Sequence, residues 1–315
     1  MKVALASILI ALVGLMSSGA RAAGDASAAT GAPSFAYDRS APLGVREVST
    51  KAVGGVTVRD LTYAALDPRH GRIAVFLVKP AGAGPFPGIL YFHWLGEPRG
   101  DRTEFLDEAI GLARGGAVSL LIQGYFPWRE APTGGRADRQ QVIDQTMDTR
   151  RAMDLLLSQP EVDAQRVGFV GHDYGAMYGA IMAGLERRAK AYVFVAGMGN
   201  FGDWSLKYWP DTAADGEAAY RGAVADVDPI NYVGVAAPAA LLFQFARRDT
   251  YIPEAVASEF FDQASSPKEV RWYDAGHDLQ VEAAAHDRRE WLARQLKLAS
   301  TPLAPRVCHA AVSGL

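Results

Sequence analysis

Short apolar runs alternating with helical patterns constrain this chain more than any other feature. Runs of strand character stand at 56–62, 73–78, 89–93, 117–123, 167–170, 192–196, 240–245 and 270–273. The later ones are apolar almost throughout, as strands buried on both faces of a parallel sheet must be. Helical patterns occupy 101–115, 139–158, 174–188, 254–264 and 281–298. In the second, Val142, Thr146, Thr149, Met153 and Leu156 make one stripe at three- and four-residue spacing, and Pro160 ends it. This alternation predicts an α/β fold of three layers with a mostly parallel central sheet over residues 43–299. No fixed-period repeat and no second domain is visible.

One stretch breaks the rhythm. Residues 198–237 carry no clear strand, which is long for a connection inside a compact domain. They contain Trp204, Tyr208, Trp209 and Tyr220. Two readings stay open: a surface excursion with a small core of its own, or a short lid over a site.

The ends read differently from the middle. Lys2, the apolar run from Val3 to Met16 and the small-x-small triplet Ala20-Arg21-Ala22 form a cleavable export signal over 1–22. The run is shorter than the ~20 apolar residues a bilayer span needs, so no stable membrane anchor is expected. Residues 23–42, rich in Ala, Gly, Ser and Pro, read as a flexible lead-in, and 300–315 as a tail. Loss of Lys2 and Arg21 takes the net charge from −3 to −5, and no basic patch invites nucleic acid. Cys308 is the single cysteine, so no internal disulfide can form after export to a periplasmic or extracellular space. With 49% hydrophobic residues the chain has enough apolar side chains to rely on a core instead. Oligomeric state is not legible in the pattern.

The chemistry concentrates where an apolar strand meets a helix, in Val170-Gly171-His172-Asp173-Tyr174-Gly175-Ala176. Glycines flank a sharp turn there because strand and helix backbones approach closely. The arrangement is the G-x-S-x-G nucleophile elbow with aspartate in the serine position. Asp249 follows the run 240–245 and His277 follows the run 270–273. Nucleophile, acid and base therefore come in order, each at a strand end. Asp203, after the run 192–196, is a second candidate acid, and Asp249 is preferred for its later strand. His93-Trp94-Leu95-Gly96 follows another apolar strand.

Residues 86–298 resemble the dienelactone-hydrolase and prolyl-oligopeptidase-like branch of the α/β-hydrolases. Gln159-Pro160-Glu161-Val162-Asp163 leading into Arg166, and Ala275-Gly276-His277, carry the likeness. The resemblance implies a triad of Asp173, Asp249 and His277, with oxyanion donors from the Tyr174 amide and the Trp94 or Leu95 amide. The aspartate itself resembles the elbows of epoxide hydrolases and haloalkane dehalogenases, whose long helical cap this chain lacks.

Aspartate changes the reaction. A carboxylate is ionised at neutral pH and attacks without a base. Attack on a carboxylic ester gives a mixed anhydride, whereas attack on a saturated carbon bearing halide or epoxide oxygen gives an ordinary ester. The expected substrate is a small organic molecule of the second kind, with His277 activating water to release the ester. His93, Tyr125, Trp128, Trp94, Trp204, Tyr208 and Trp209 are pocket candidates, some able to hold the leaving atom. Two alternatives stand beside this: ester or lactone hydrolysis with Asp173 as base on water, and an inactive binding protein. His93 is expected to shape the oxyanion loop and His172 to be structural, with His70, His286 and His309 solvated. No cluster has convincing metal spacing, and neither metal nor cofactor is expected. Gly54-Gly55 and Gly134-Gly135 read as turns.

Overall fold

A computed structural model of the chain describes residues 34–298. The export signal, the final tail with Cys308, and His309 lie outside the described residues. Among the described residues nine strands form one sheet: β1 (Arg46–Val53), β2 (Val56–Ala64), β3 (Arg72–Lys79), β4 (Phe86–Phe92), β5 (Val118–Ile122), β6 (Val162–His172), β7 (Ala191–Val195), β8 (Ala240–Ala246) and β9 (Lys268–Tyr273). Their spatial order is β1-β2-β3-β5-β4-β6-β7-β8-β9. From β5 to β9 neighbouring strands run parallel, while β1, β2 and β3 join antiparallel at one end.

Eight α-helices complete the described residues: α1 (Leu106–Arg114), α2 (Gly135–Leu157), α3 (Tyr174–Leu185), α4 (Phe201–Tyr208), α5 (Glu217–Val224), α6 (Ile230–Val233), α7 (Glu254–Gln263) and α8 (Glu282–Leu296). The sheet divides two cores. Leu90, Phe92, Phe169, Tyr192 and Phe194 face α2, α3 and α7, while Ile89, Tyr91, Val170 and Val193 face α1 and α8. Period-two alternation inside continuous apolar runs sends side chains to both faces. The Val142–Leu156 stripe of α2 is buried throughout, as its spacing predicts.

β4 is the switch point. Its chain continues through α1 to β5 on one side, then through α2 to β6 on the other. Ligand crevices of open α/β sheets form at such points, beyond the carboxyl ends of the strands. Among the described residues no helix is long and apolar enough to cross a membrane.

Two expectations need correction. Residues 34–42 form no flexible lead-in: Phe35 is buried in the core, and Tyr37 donates to the Asp154 carboxylate of α2 at 2.7 Å. Aromatic side chains outweigh the Ala/Ser/Pro composition there. Gly134 precedes α2 and Gly135 opens it, so this pair belongs to a helix start and not to a turn.

Candidate active site

The elbow is as tight as its glycines suggest. A Cβ on Gly171 would collide with the Gly175 carbonyl, and one on Gly175 with the Phe92 carbonyl at the end of β4. Between them Asp173 sits at φ 54°, ψ −117°, a positive φ that is uncommon for a non-glycine residue. Its amide donates to Val195 O at 2.8 Å, which fastens the strained turn to β7. Only 3% of Asp173 is exposed.

Asp173, Asp249 and His277 come together. His277 Nδ1 lies 2.8 Å from Asp249 Oδ2, and its Nε2 lies 3.8 Å from Asp173 Oδ1. The first is a hydrogen bond; the second is an ion-pair distance. Asp249 Oδ1 accepts the Tyr251 and Ile252 amides, so the loop after β8 fixes its carboxylate. Burial alone would lower the His277 pKa, but the carboxylates of Asp173 and Asp249 outweigh it and raise the ring to about 9. Burial likewise opposes ionisation of Asp249, and His277 with the two amides holds its pKa below the usual value. A ring so raised carries its proton at neutral pH, bonded to Asp249 and facing Asp173. Asp203 is no rival acid: it is exposed and paired with Arg221.

One amide meets the Asp173 carboxylate. Leu95 N–H donates to Asp173 Oδ2 at 3.1 Å. Trp94 N–H does not serve there; it donates to Glu104 Oε2 at 2.7 Å. Trp94 C=O and Leu95 N–H share one trans peptide and point oppositely, so whatever holds the carbonyl also aims the amide. His93 Nδ1 and Trp128 Nε1 each hold Trp94 O at 2.8 Å, which aims Leu95 N–H at Asp173. The Tyr174 amide opens α3 and is among those that helix hydrogen bonds leave free. Such a helix start favours an anion.

The pocket candidates divide. Trp204 of α4 has its ring centroid 5.6 Å from His277 and 5.8 Å from Tyr174, so the excursion does reach the site. Tyr208 packs on Trp204 at 5.3 Å and is partly exposed, and Trp209 lies behind it, 6.5 Å from Tyr174. Trp94 stacks flat on His172 and stands 6.4 Å from His277, with its Nε1 buried and without a protein partner. Three candidates turn elsewhere. Both ring nitrogens of His93 are spent, on Trp94 O and on Gly124 N–H, and burial lowers its pKa to about 4. Trp128 stacks on Phe92 and Tyr178 and buttresses the Leu95 loop. Tyr125 stacks on His70 at 4.2 Å and donates to Asp148, because its buried hydroxyl needs an acceptor inside the fold.

Sequence reasoning missed Tyr251, 4.8 Å from His277, and Glu104. Tyr251 is adjacent to the Asp249 turn, which could have marked it; Glu104 carries no pattern. His70 is not solvated either: its ring lies between Glu130, 3.1 Å away, and Asp144, 3.5 Å away. With Asp67 and Asp144 it makes the group among the described residues whose ligand atoms all lie within 4.8 Å, so these three could hold a cation. Asp67 already accepts from Arg69.

No family model matches the chain. Acyl-coenzyme A amino acid N-acyltransferase 2 of Rattus norvegicus is 30% identical over 141 residues, covering 44% of this chain and 31% of that protein. Peroxisomal succinyl-coenzyme A thioesterase of Mus musculus is 26% identical over 140 residues, 44% of this chain and 30% of its own length. A probable 2-oxo-3-(5-oxofuran-2-ylidene)propanoate lactonase of Bradyrhizobium sp is 30% identical over 115 residues, 34% of this chain and 45% of that one. The chain therefore spans less than half the length of these relatives. Among solved structures, acetyl xylan esterase from Paenibacillus sp. R4 superposes with TM-score 0.66 at 22% identity, covering 81% of this chain and 90% of that chain. The 2,6-dihydroxy-pseudo-oxynicotine hydrolase does so at 0.61 and 16%, covering 78% and 69%. Together with the nine-stranded sheet and the strand-end positions of Asp173, Asp249 and His277, these likenesses give the chain the α/β-hydrolase fold.

Proposed function

We propose that this protein is a hydrolase whose Asp173 carboxylate attacks a saturated carbon of a small organic substrate, of the epoxide or carbon–halide type. One observation carries the reading: Asp173 Oδ2 is held by the Leu95 amide while Oδ1 faces His277 without a hydrogen bond in the protein. One oxygen is anchored, and the other retains a free lone pair.

In the first step an Oδ1–carbon bond forms as the carbon–halide or epoxide carbon–oxygen bond breaks. A halide departs as the anion; an epoxide oxygen takes the proton from His277 Nε2. Esterification removes the Asp173 charge, one of the two that raise the ring, so a neutral His277 becomes attainable when a base is needed. Water then attacks the carbonyl carbon of the ester as His277 takes its proton, and the Leu95 and Tyr174 amides stabilise the oxyanion. On collapse His277 protonates the departing alkoxide, and the carboxylic acid left on Asp173 returns a proton to the ring. Trp204, Tyr208, Tyr251 and Trp94 would surround the substrate, which favours small apolar or aromatic groups.

A second reading has specific support: the relatives are named as thioesterases, an acyltransferase and a lactonase, all acyl chemistry. Asp173 would then take a proton from water attacking an acyl carbon. The outcomes separate in a His277→Gln variant given haloalkanes, epoxides, thioesters and lactones. The first reading expects a stable adduct at Asp173 by mass spectrometry, and label in the Asp173 carboxylate after wild-type turnover in heavy-oxygen water. Turnover of any substrate without enzyme-borne label rules it out. An inert elbow gives neither adduct nor turnover.

A further inference from the structure

We infer that Glu104 and His172 form a proton-holding clamp that positions both the Leu95 amide and the His277 ring, so that each is a positioning residue. His172 Nδ1 lies 2.6 Å from Glu104 Oε1, and its Nε2 lies 3.1 Å from the His277 carbonyl oxygen. Glu104 Oε2 accepts Trp94 N–H. The pair thus ties together three loops: the one after β4, the elbow after β6, and the one after β9.

Proton inventory makes the clamp specific. A carbonyl oxygen only accepts, so His172 Nε2 must carry hydrogen; an ionised carboxylate only accepts, so Nδ1 must carry one as well. The alternative places that second hydrogen on Glu104 Oε1. Both arrangements hold one proton more than a carboxylate beside a neutral ring. His93 shows the contrast, because its Nε2 accepts Gly124 N–H and must be bare. The Trp94 indole, stacked 6° from parallel on His172, covers one face of the ring. The charged neighbours are His277 and Asp173 at the site and Arg288 of α8, whose guanidinium feels the Glu104 charge while bonding Glu108.

Loss of this proton would leave either a lone pair facing the His277 carbonyl or a bare Nδ1 facing Glu104. Both repel, and the β9 loop would shift away from Asp173. Glu104→Leu has a similar size but offers no acceptor to Trp94 N–H and no partner to His172 Nδ1, whichever of the two arrangements holds the proton. The positioning role rests on Asp173, Asp249 and His277 being the reactive site; the proton does not.

The test therefore has two arms. In the wild-type protein labelled with nitrogen-15 histidine, with His172 assigned by loss of its signals in His172→Gln, Nε2 should carry hydrogen at neutral pH. A bare His172 Nε2, or a bare Nδ1 beside a carbon-13-labelled Glu104 side chain that reads as carboxylate, overturns the clamp, whatever the protein catalyses and whether or not the variants fold. In folded Glu104→Leu, the proton between His277 Nδ1 and Asp249 should exchange faster. Adduct formation at Asp173 with a small epoxide should slow about tenfold to hundredfold, the scale expected when a reacting group is misplaced. An unchanged proton signal in that variant refutes the positioning role. Absence of adduct in the wild type refutes the proposed reaction instead, and leaves the proton measurements to decide the clamp.

Discussion

At the scale of single residues, His277 holds its proton because Asp173 and Asp249 face its two nitrogens, and this decides how the site answers to pH. The ring's folded-state pKa of about 9 lies above the ~6.5 of an unfolded histidine. Its stabilising contribution is therefore full below the unfolded value and is lost as pH rises through about 9. Asp173→Asn removes one carboxylate and leaves Asp249, so the ring should titrate at lower pH than in the wild type. That loss of stability should then begin at lower pH too. Nuclear magnetic resonance titration of the ring reads the shift directly, and an unchanged midpoint would mean that Asp173 is not ionised beside it. The three residues were legible because strand ends and glycine spacing announce them. The duties of Trp128 and Tyr125 were not, since an aromatic ring near a strand end reads the same whether it faces a substrate or supports a loop.

At the scale of elements, the excursion is tied to the body at several points. Tyr220 donates to Asp138 of α2, Arg139 of α2 pairs with Asp226, and Lys207 donates to Thr250 O and Tyr251 O beside Asp249. Its helices escaped the sequence because α4, α5 and α6 span only 8, 8 and 4 residues, too short for a clear helical period. β1 escaped for another reason. Its residues are mostly exposed on both faces, so no apolar alternation marks it, and it is held by pairing with β2 across the Gly54-Gly55 turn, where φ is 57° and 83°. Trp204 discriminates between lid and decoration. Trp204→Ala should cost about 3–5 kcal/mol in denaturant unfolding, as buried tryptophan truncations do. It should also raise the rate of Asp173 adduct formation with bulky epoxides relative to small ones. A stability loss with unchanged selectivity would return α4 to being a small satellite core.

At the scale of the whole molecule, the later strands were readable because burial on both sheet faces leaves apolar runs with little else in them. The order in which they lie side by side was not readable from those runs, because it is fixed by crossover paths around β4. The same two-faced burial bears on export. One cysteine permits no internal disulfide, so a chain delivered to an oxidising compartment must be held by its two cores alone. The mature protein, recovered from periplasm or medium, is expected to begin at Ala23, with Lys2 and Arg21 removed and the net charge more negative by two. Its unfolding midpoint in denaturant should be the same with and without a reductant. N-terminal sequencing and paired denaturation curves check the two halves separately. Full-length chain confined to the cytoplasm would sink the export reading, and a midpoint lowered by reductant would show that Cys308 bridges to a second molecule and that the cores are not the whole source of stability.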